Sequence, residues 1–217
     1  MNAAQRTVRL FFAILGFAAI VAQFAEGITR ADFIVLNFFS YFTIQSNILI
    51  ALVLLAGAVV PGHVFQSVKF QLLRGAATAF IMTTGVVYFL FLRGLEESLQ
   101  TPVPWVNTTL HYILPLIALI DWVWAFSKVK IAFKHTLIWL SYPLIYLIYT
   151  LVRGPFADWY PYPFVDPRPE GYIPVIISSL FLTLLIFTIA MLVMLIRNMR
   201  FRKSKRHFSP EKLREAK

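Results

Sequence analysis

The sequence predicts an all-α fold: a polytopic membrane bundle of six transmembrane helices with both termini in the cytoplasm. The apolar fraction is 59% and the mean hydropathy is +0.72, and both exceed the values of an ordinary soluble domain. Six long apolar runs fill most of the 217 residues, and a helix needs roughly 20 such residues to cross a bilayer. Hydrophobicity within the runs is continuous rather than alternating, which excludes a closed β-barrel.

In chain order, the predicted membrane runs are 8–26, 33–60, 71–92, 108–126, 136–152 and 173–196. They leave no room for a separate soluble domain. We therefore expect one six-helix transmembrane domain over residues 1–196 and a basic cytoplasmic tail over residues 197–217. The first run is followed by no clear small-residue cleavage site, so it is predicted to stay in place as a helix. The chain has no cysteine, which excludes disulfides, thiolate metal sites and cysteine nucleophiles.

The distribution of charge predicts the orientation. If the amino terminus is cytoplasmic, all but four of the 20 basic residues lie on that side, and seven of the 10 acids lie on the other. This is the pattern of the positive-inside rule. The basic tail is expected to contact anionic lipid head groups, which attract each basic residue near the surface by about 1 kcal/mol. We expect a multi-pass protein of a bacterial plasma membrane with membrane lipids as partners, no nucleic acid and no cofactor.

The second run carries a polar stripe. At about 100° per residue, Ser40, Thr43 and Asn47 fall on one face of a helix, with Asn37 a little further round. Polar side chains within a span usually point into the bundle. The stripe is compatible with simple hydrogen bonding between helices and with a functional site.

The fourth run contains His111, the one histidine of four that lies inside an apolar run. Asn107 lies one turn earlier on the same face. Asp121 is about 15 Å further along the helix, which is too far to orient His111, and it is a candidate partner of Arg74. The other three histidines lie at the opposite membrane face, so a metal site is weakly supported. From the lengths of the runs, Thr43 and His111 are predicted to lie at similar depths below the outer surface.

The fifth run and the segment after it supply further polar groups. Tyr142, Tyr146, Tyr149 and Arg153 follow a spacing that places them on one helix face. Residues 153–172 include five prolines and several aromatic residues, and are predicted to lie across the outer mouth of the bundle. They form either an interfacial aromatic belt or a lid over a site.

Three stretches resemble a known family: NFFSYFTIQSNIL (37–49), NTTLHYILPLIALIDW (107–122) and WYPYPFVDP (159–167). The first two are similar to the androgen-induced-protein family of integral membrane hydrolases, and the third to its bacterial branch, the Pr-six-Pr membrane proteins. The resemblance implies a threonine hydrolase that cleaves fatty acid esters of hydroxy fatty acids. Its motif positions fall on Thr43 as the nucleophile and His111 as the base. The animal members lack an obvious counterpart of the third stretch, so the substrate does not carry over directly.

The sequence therefore predicts a lipid ester hydrolase with a Thr43–His111 pair in the outer half of the bundle. A neutral imidazole can activate a hydroxyl within hydrogen-bond reach, and an oxyanion needs donors. The candidate donors or substrate-binding residues are Asn47, Asn37, Ser40, Tyr149 and Arg153. The main alternative is a non-enzymatic lipid-binding or transport protein with a polar pocket between helices. A proton-coupled redox or sensor protein using His111 and Asp121, and a purely structural subunit, also remain open. The sequence disfavours transport, because it predicts neither broken helices nor an ion pair deep in the bundle.

Overall fold

The computed structural model describes the backbone of residues 2–96, 102–125 and 127–207, and the side chains of these residues up to Arg200. Among the described residues, six helices are long and apolar enough to cross a membrane. They are span 1 (Ala3–Gly27), span 2 (Phe42–Val59), span 3 (Val68–Leu92), span 4 (Pro104–Trp124), span 5 (Phe133–Ala157) and span 6 (Tyr172–Arg200). The described chain is otherwise formed by loops and by short helices at Val35–Ser40, Gly62–Phe65 and Pro163–Val165. The all-α class and the six-helix bundle are thus confirmed.

Span 3 occupies the middle of the bundle and contacts spans 2, 4, 5 and 6, while span 1 packs along span 2. Small residues permit the close approach of spans 1 and 2, as is common between membrane helices. Ala13 and Ala19 are fully buried there, and a Cβ atom on Gly16 would lie 3.4 Å from the Cβ of Ala51. Span 5 lies at the periphery and is mostly exposed. We call the end of the bundle that carries Asn2 the base and the opposite end the top.

The second predicted run is not one helix. The structure divides residues 33–60 into Val35–Ser40 and span 2, because Tyr41 has an extended conformation (φ −70°, ψ 127°). The expectation that no helix is broken is therefore wrong at this position. The side-chain amide of Gln45 donates to the carbonyl oxygen of Phe39 at 2.9 Å, so one of the carbonyl groups freed by the break regains a partner.

An ion cluster closes the base of the bundle. Asp121 accepts from Arg74 and from Arg9, each at 2.6 Å, and both arginine side chains are almost fully buried. The predicted Arg74–Asp121 pairing is present, and Arg9 is a second partner that the sequence did not indicate. The guanidinium groups of Arg9 and Arg74 both lie over the aromatic ring of Phe65, at 4.5 and 4.7 Å from its centroid.

Span 6 continues as a helix to His207, past the predicted start of the tail at residue 197. Arg197 is 2% exposed and donates to the carbonyl oxygen of Ala125 at 3.0 Å. It therefore packs as part of the bundle rather than of a free tail. Residues 208–217 and the side chains beyond Arg200 lie outside the described part of the chain, and with them most of the predicted head-group contacts.

Candidate functional site

Thr43 lies in the first turn of span 2, directly after the break at Tyr41. The ring of Tyr41 packs edge-on against Trp159 and Tyr162, with centroids 5.3 and 5.7 Å apart, and these contacts hold Tyr41 outside both helices. Backbone N–H groups in a first helical turn have no acceptor within the helix. The N–H of Thr43 donates instead to the phenolic oxygen of Tyr162 at 3.1 Å. The break thus brings a hydroxyl and a backbone donor without an acceptor in its own helix to the same point.

His111 lies in a wide helical turn over Thr109–Ile113, where the hydrogen bonds follow the π-helical pattern. Pro115 explains this turn, because a proline has no N–H to offer His111 and its ring clashes with the carbonyl four residues earlier. Such π-turns occur frequently at functional sites. Gly85 of span 3 makes room for the turn, since a Cβ there would lie 3.1 Å from the carbonyl oxygen of His111.

The imidazole of His111 is held from two sides. Its Nδ1 lies 3.1 Å from the carbonyl oxygen of Asn107, and because a carbonyl only accepts, Nδ1 carries the proton and Nε2 is left as the basic nitrogen. The ring stacks on that of Tyr88. The Tyr88 hydroxyl donates to the carboxylate of Glu96 and accepts from the side-chain amide of Asn107. The bond from Tyr88 lowers the pKa of Glu96 below its usual range.

Thr43 and His111 line one small cavity of about 20 Å³. A space of this size has room for a single water molecule. The hydrogen bonds of the described residues include none between the two side chains: Thr43 Oγ1 lies 3.3 Å from the Tyr162 hydroxyl instead. Both residues are buried, at 8% and 4% exposed. The structure thus brings the predicted pair to a common hollow, and spans 2 and 4 are in contact, as the prediction required.

A second cavity, of about 300 Å³, begins on the other side of Thr43. Spans 2, 3, 5 and 6 and the segment between spans 5 and 6 line it, mostly with apolar side chains. Its volume is at the lower limit of typical ligand pockets. Leu144 of span 5 and Thr183 of span 6 line it and are exposed on the lipid-facing surface, so the cavity reaches that surface between these two spans.

Tyr162 lines both cavities, together with Thr43 and Leu92. It is 7% exposed, and Tyr160 and Val165 of the same segment are also buried. An interfacial belt does not describe these three residues, because they fill the top of the bundle from within. Burial raises the pKa of the Tyr162 phenol above its ordinary value, so the phenol is neutral and its hydroxyl can donate.

The five predicted donor or substrate-binding residues line neither cavity. Arg153 donates to the side-chain oxygen of Asn37 at 2.6 Å, and the hydroxyls of Tyr149 and Ser40 lie 2.8 Å apart. These four residues therefore pair the segment before span 2 with span 5. The fifth, Asn47, donates to the carbonyl oxygens of Thr43 and Leu110, at 2.8 and 3.2 Å.

Asn47 thus links Thr43 to the residue before His111, and it is better described as a positioning residue than as an oxyanion donor. Two important residues of the site, Tyr88 and Tyr162, were missed by the sequence-based prediction. Tyr88 lies in an apolar run without a polar stripe of its own, so nothing in the sequence singled it out. Tyr162 belongs to the WYPYPFVDP stretch, whose high proline and aromatic content was the one available signal.

Comparison with known proteins gives no match to a family model, to a curated protein or to a solved structure. Among the described residues, no group of three or more histidine, aspartate or glutamate side chains is arranged to hold a metal ion. The geometry of the two cavities and the motif resemblance are therefore the basis of the proposed function.

Proposed function

We propose that this chain is an integral membrane hydrolase that cleaves lipid esters, with Thr43 as nucleophile and His111 as general base. One observation carries the proposal. Thr43 borders both the water-sized cavity that holds His111 and the large apolar cavity that reaches the lipid-facing surface. A lipid ester and the base that activates the nucleophile would thus approach the same hydroxyl from opposite sides.

The chemistry would proceed in two steps. Nε2 of His111 takes the proton of the Thr43 hydroxyl, directly or through one water in the small cavity, while Oγ1 attacks the ester carbonyl. The alcohol leaves with the proton from His111, and an acyl-threonine remains. Water, deprotonated by the same imidazole, then cleaves the acyl-threonine to the free acid and restores the hydroxyl.

One donor is available for the oxyanion of this reaction. The backbone N–H of Thr43 has no acceptor within span 2 and donates to the Tyr162 hydroxyl in this structure. A nucleophile's own backbone N–H is one of the oxyanion donors in serine proteases. Donors that are fixed before reaction are the most effective, because no reorganisation is needed as charge develops. The Thr43 N–H replaces the five donors expected from the sequence.

The family and the substrate class of this proposal are taken from the motif resemblance. We infer a member of the bacterial branch of the androgen-induced-protein family, acting on esters of the fatty acid–hydroxy fatty acid type. The same proposal includes a bacterial plasma membrane, both termini in the cytoplasm and a basic tail on anionic head groups. What supports the lipid substrate independently is the apolar lining and lateral opening of the large cavity.

Labelling of the reconstituted protein by a fluorophosphonate probe tests the proposal. Thr43→Ala and His111→Ala are each expected to abolish labelling, since a general base typically contributes about 10²–10⁴-fold. Thr43→Ser, which keeps a hydroxyl, is the matched control and should retain labelling. Each variant is first shown to keep the wild-type elution volume and melting temperature. Undiminished labelling of either alanine variant would refute the hydrolase.

A lipid-binding or transport protein is the second candidate, and two observations favour it. Span 2 is preceded by a break at Tyr41 beside the cavities, and discontinuous helices border the substrate sites of many transporters. The buried cluster of Asp121, Arg9 and Arg74 is an ion pair of the kind that such proteins also use. Lipid that co-purifies with the protein and is never hydrolysed, together with unlabelled wild-type protein, would favour this candidate.

A further inference from the structure

The side chain of Tyr162 forms part of the wall between the two cavities. It lines both, as do Thr43 and Leu92. The phenolic oxygen lies 3.1 Å from the backbone nitrogen of Thr43 and 3.3 Å from its hydroxyl. An occupant of the larger cavity can therefore contact Thr43 but not His111, which lines the small cavity alone, as long as this ring stays in place.

The contact between Tyr162 and Thr43 is of a kind that a substrate can replace. Hydrogen bonds between hydroxyls usually measure about 2.7–2.8 Å, so the one at 3.3 Å is long. The N–H of Thr43 needs an acceptor, and an ester carbonyl oxygen is as suitable as a phenolic oxygen. The tyrosine oxygen thus occupies the place where the carbonyl oxygen of an attacked ester would be bound.

The segment that carries Tyr162 is anchored outside the site. Arg168 donates to the carboxylates of Asp166 and Asp158, at 2.6 and 2.9 Å. The ring of Tyr162 stacks on that of Phe164, with centroids 5.2 Å apart and planes at 11°. At the start of the segment, the ring of Tyr160 lies against Gly154, where no Cβ would fit. These anchors set the position of the ring, and its hydroxyl bonds to Thr43 at the start of span 2.

We propose that Tyr162 is a gate that covers the backbone N–H and the hydroxyl of Thr43 at the wall between the two cavities, and that its ring must move aside for an ester carbonyl to bind there. The purpose of the gate rests on the proposed function: in a lipid ester hydrolase, Tyr162 is the residue that decides which esters are attacked. The gate itself is a statement about access to position 43, and it is testable without any catalysis.

The absence of cysteine in the wild-type chain makes single-cysteine labelling a clean assay. Thr43→Cys is placed in the full chain, reconstituted in phospholipid nanodiscs, and its rate of reaction with N-ethylmaleimide is measured. It is expected to react slowly with Tyr162 present and at least about tenfold faster with Tyr162→Ala, the factor that corresponds to 1.4 kcal/mol. Tyr162→Phe, which keeps the ring and loses the hydroxyl, should give a smaller increase of about fivefold or less, as expected for one neutral hydrogen bond.

Thr183→Cys is the matched control, because Thr183 lines the same large cavity at its exposed side. Removal of the Tyr162 ring should change the labelling rate of Thr183→Cys by less than about twofold. This factor corresponds to a smaller free energy than one hydrogen bond contributes. Equal rates for Thr43→Cys with and without Tyr162, or an equal acceleration at position 183, would overturn the gate.

A second variant keeps the gate testable if Tyr162→Ala does not fold. Arg168→Gln removes the anchor outside the site and leaves Tyr162 intact, and it too is expected to accelerate labelling of Thr43→Cys. If Tyr162→Ala does not fold, an unchanged labelling rate of Thr43→Cys with both Arg168→Gln and Tyr162→Phe would overturn the gate. Thiol labelling requires no hydrolysis. A failed fluorophosphonate test with gated thiol labelling would therefore refute the hydrolase alone, and the reverse result would refute the gate alone.

Discussion

The ring of His111 stacks on the ring of Tyr88, with centroids 3.9 Å apart and planes at 17°. Both residues lie in π-helical turns, one at the end of span 3 and the other in span 4. Stacking fixes the plane of the imidazole, and the bond from Nδ1 to Asn107 fixes its rotation within that plane. The base of the proposed reaction is thus oriented by an aromatic neighbour rather than by a carboxylate.

Replacement of Tyr88 should slow fluorophosphonate labelling. We expect Tyr88→Leu to slow it by about 10²-fold, since loss of orientation removes most of the contribution of a general base. Tyr88→Phe keeps the stacking and should slow it by less than about tenfold, roughly the value of one or two hydrogen bonds. Tyr112→Phe is the control, because the ring of Tyr112 contacts Tyr88 edge-on but is partly exposed. Equal rates for the leucine and phenylalanine variants at position 88 would contradict the role of the stack.

Gly85→Ala should disturb the turn that carries His111. The new Cβ would lie 3.0 Å from Pro115 and 3.1 Å from the carbonyl oxygen of His111, so spans 3 and 4 must separate slightly. Overpacking of this kind typically costs about 1–3 kcal/mol. We expect a lower Tm in detergent and slower labelling. Gly62→Ala meets nothing within 4 Å and should leave both unchanged; a Gly85→Ala protein as stable and active as wild type would contradict the close packing.

Asp121→Asn should destabilise the base of the bundle. It removes the carboxylate charge that the buried Arg9 and Arg74 share, and breaking a buried pair in this way costs about 3–5 kcal/mol at full burial. Because the Asp121 side chain is 17% exposed, the lower end of that range is expected. Thermal unfolding in detergent measures the effect. Asp158→Asn, at a 91% exposed side chain, is the control, and an equal Tm for the two variants would contradict the prediction.

Filling the large cavity should affect long-chain substrates selectively. Thr183→Trp places a bulky ring at the exposed side of the cavity. We expect labelling by a fluorophosphonate with a long alkyl chain to fall by about tenfold, equivalent to 1.4 kcal/mol, while a short-chain probe is unaffected. Thr188→Trp, on an exposed part of the same helix away from the cavity, is the control. Equal loss with both probes would mean that the cavity does not hold the acyl chain.

The segment that carries Tyr162 should loosen only in acid. Hydrogen bonds from Arg168 lower the pKa of Asp166 below its usual range. A carboxyl with a depressed pKa stabilises the folded state above its unfolded pKa, about 4, and this stabilisation is lost as the pH falls through the folded pKa. Hydrogen exchange of residues 159–165, corrected for its intrinsic rate, should therefore be constant from neutral pH to about pH 4 and faster below. Asp166→Asn should exchange fast throughout; acid-dependent exchange in that variant would point to a different group.

The break at Tyr41 was beyond the reach of sequence-based prediction. Residues 33–60 contain no proline, and their one glycine is Gly57, near the end of the run. The run therefore has the pattern of one uninterrupted helix. The break depends on aromatic contacts of Tyr41 with Trp159 and Tyr162, more than a hundred residues away. By contrast, the wide turn at His111 has a local cause in Pro115, and a closer reading of that proline could have found it.

Apolar run length and periodicity determined the number of spans, and the polar stripe and lone histidine singled out Thr43 and His111, because these signals are local along the chain. Tertiary structure alone decided that these two side chains share one hollow, that Tyr162 lies between that hollow and the apolar cavity, and that Asn37, Ser40, Tyr149 and Arg153 bond to one another instead of lining it. The physical reason is that a helical pattern specifies which face a residue occupies, whereas the neighbour opposite that face is chosen by the packing of all six helices and of the segment between spans 5 and 6.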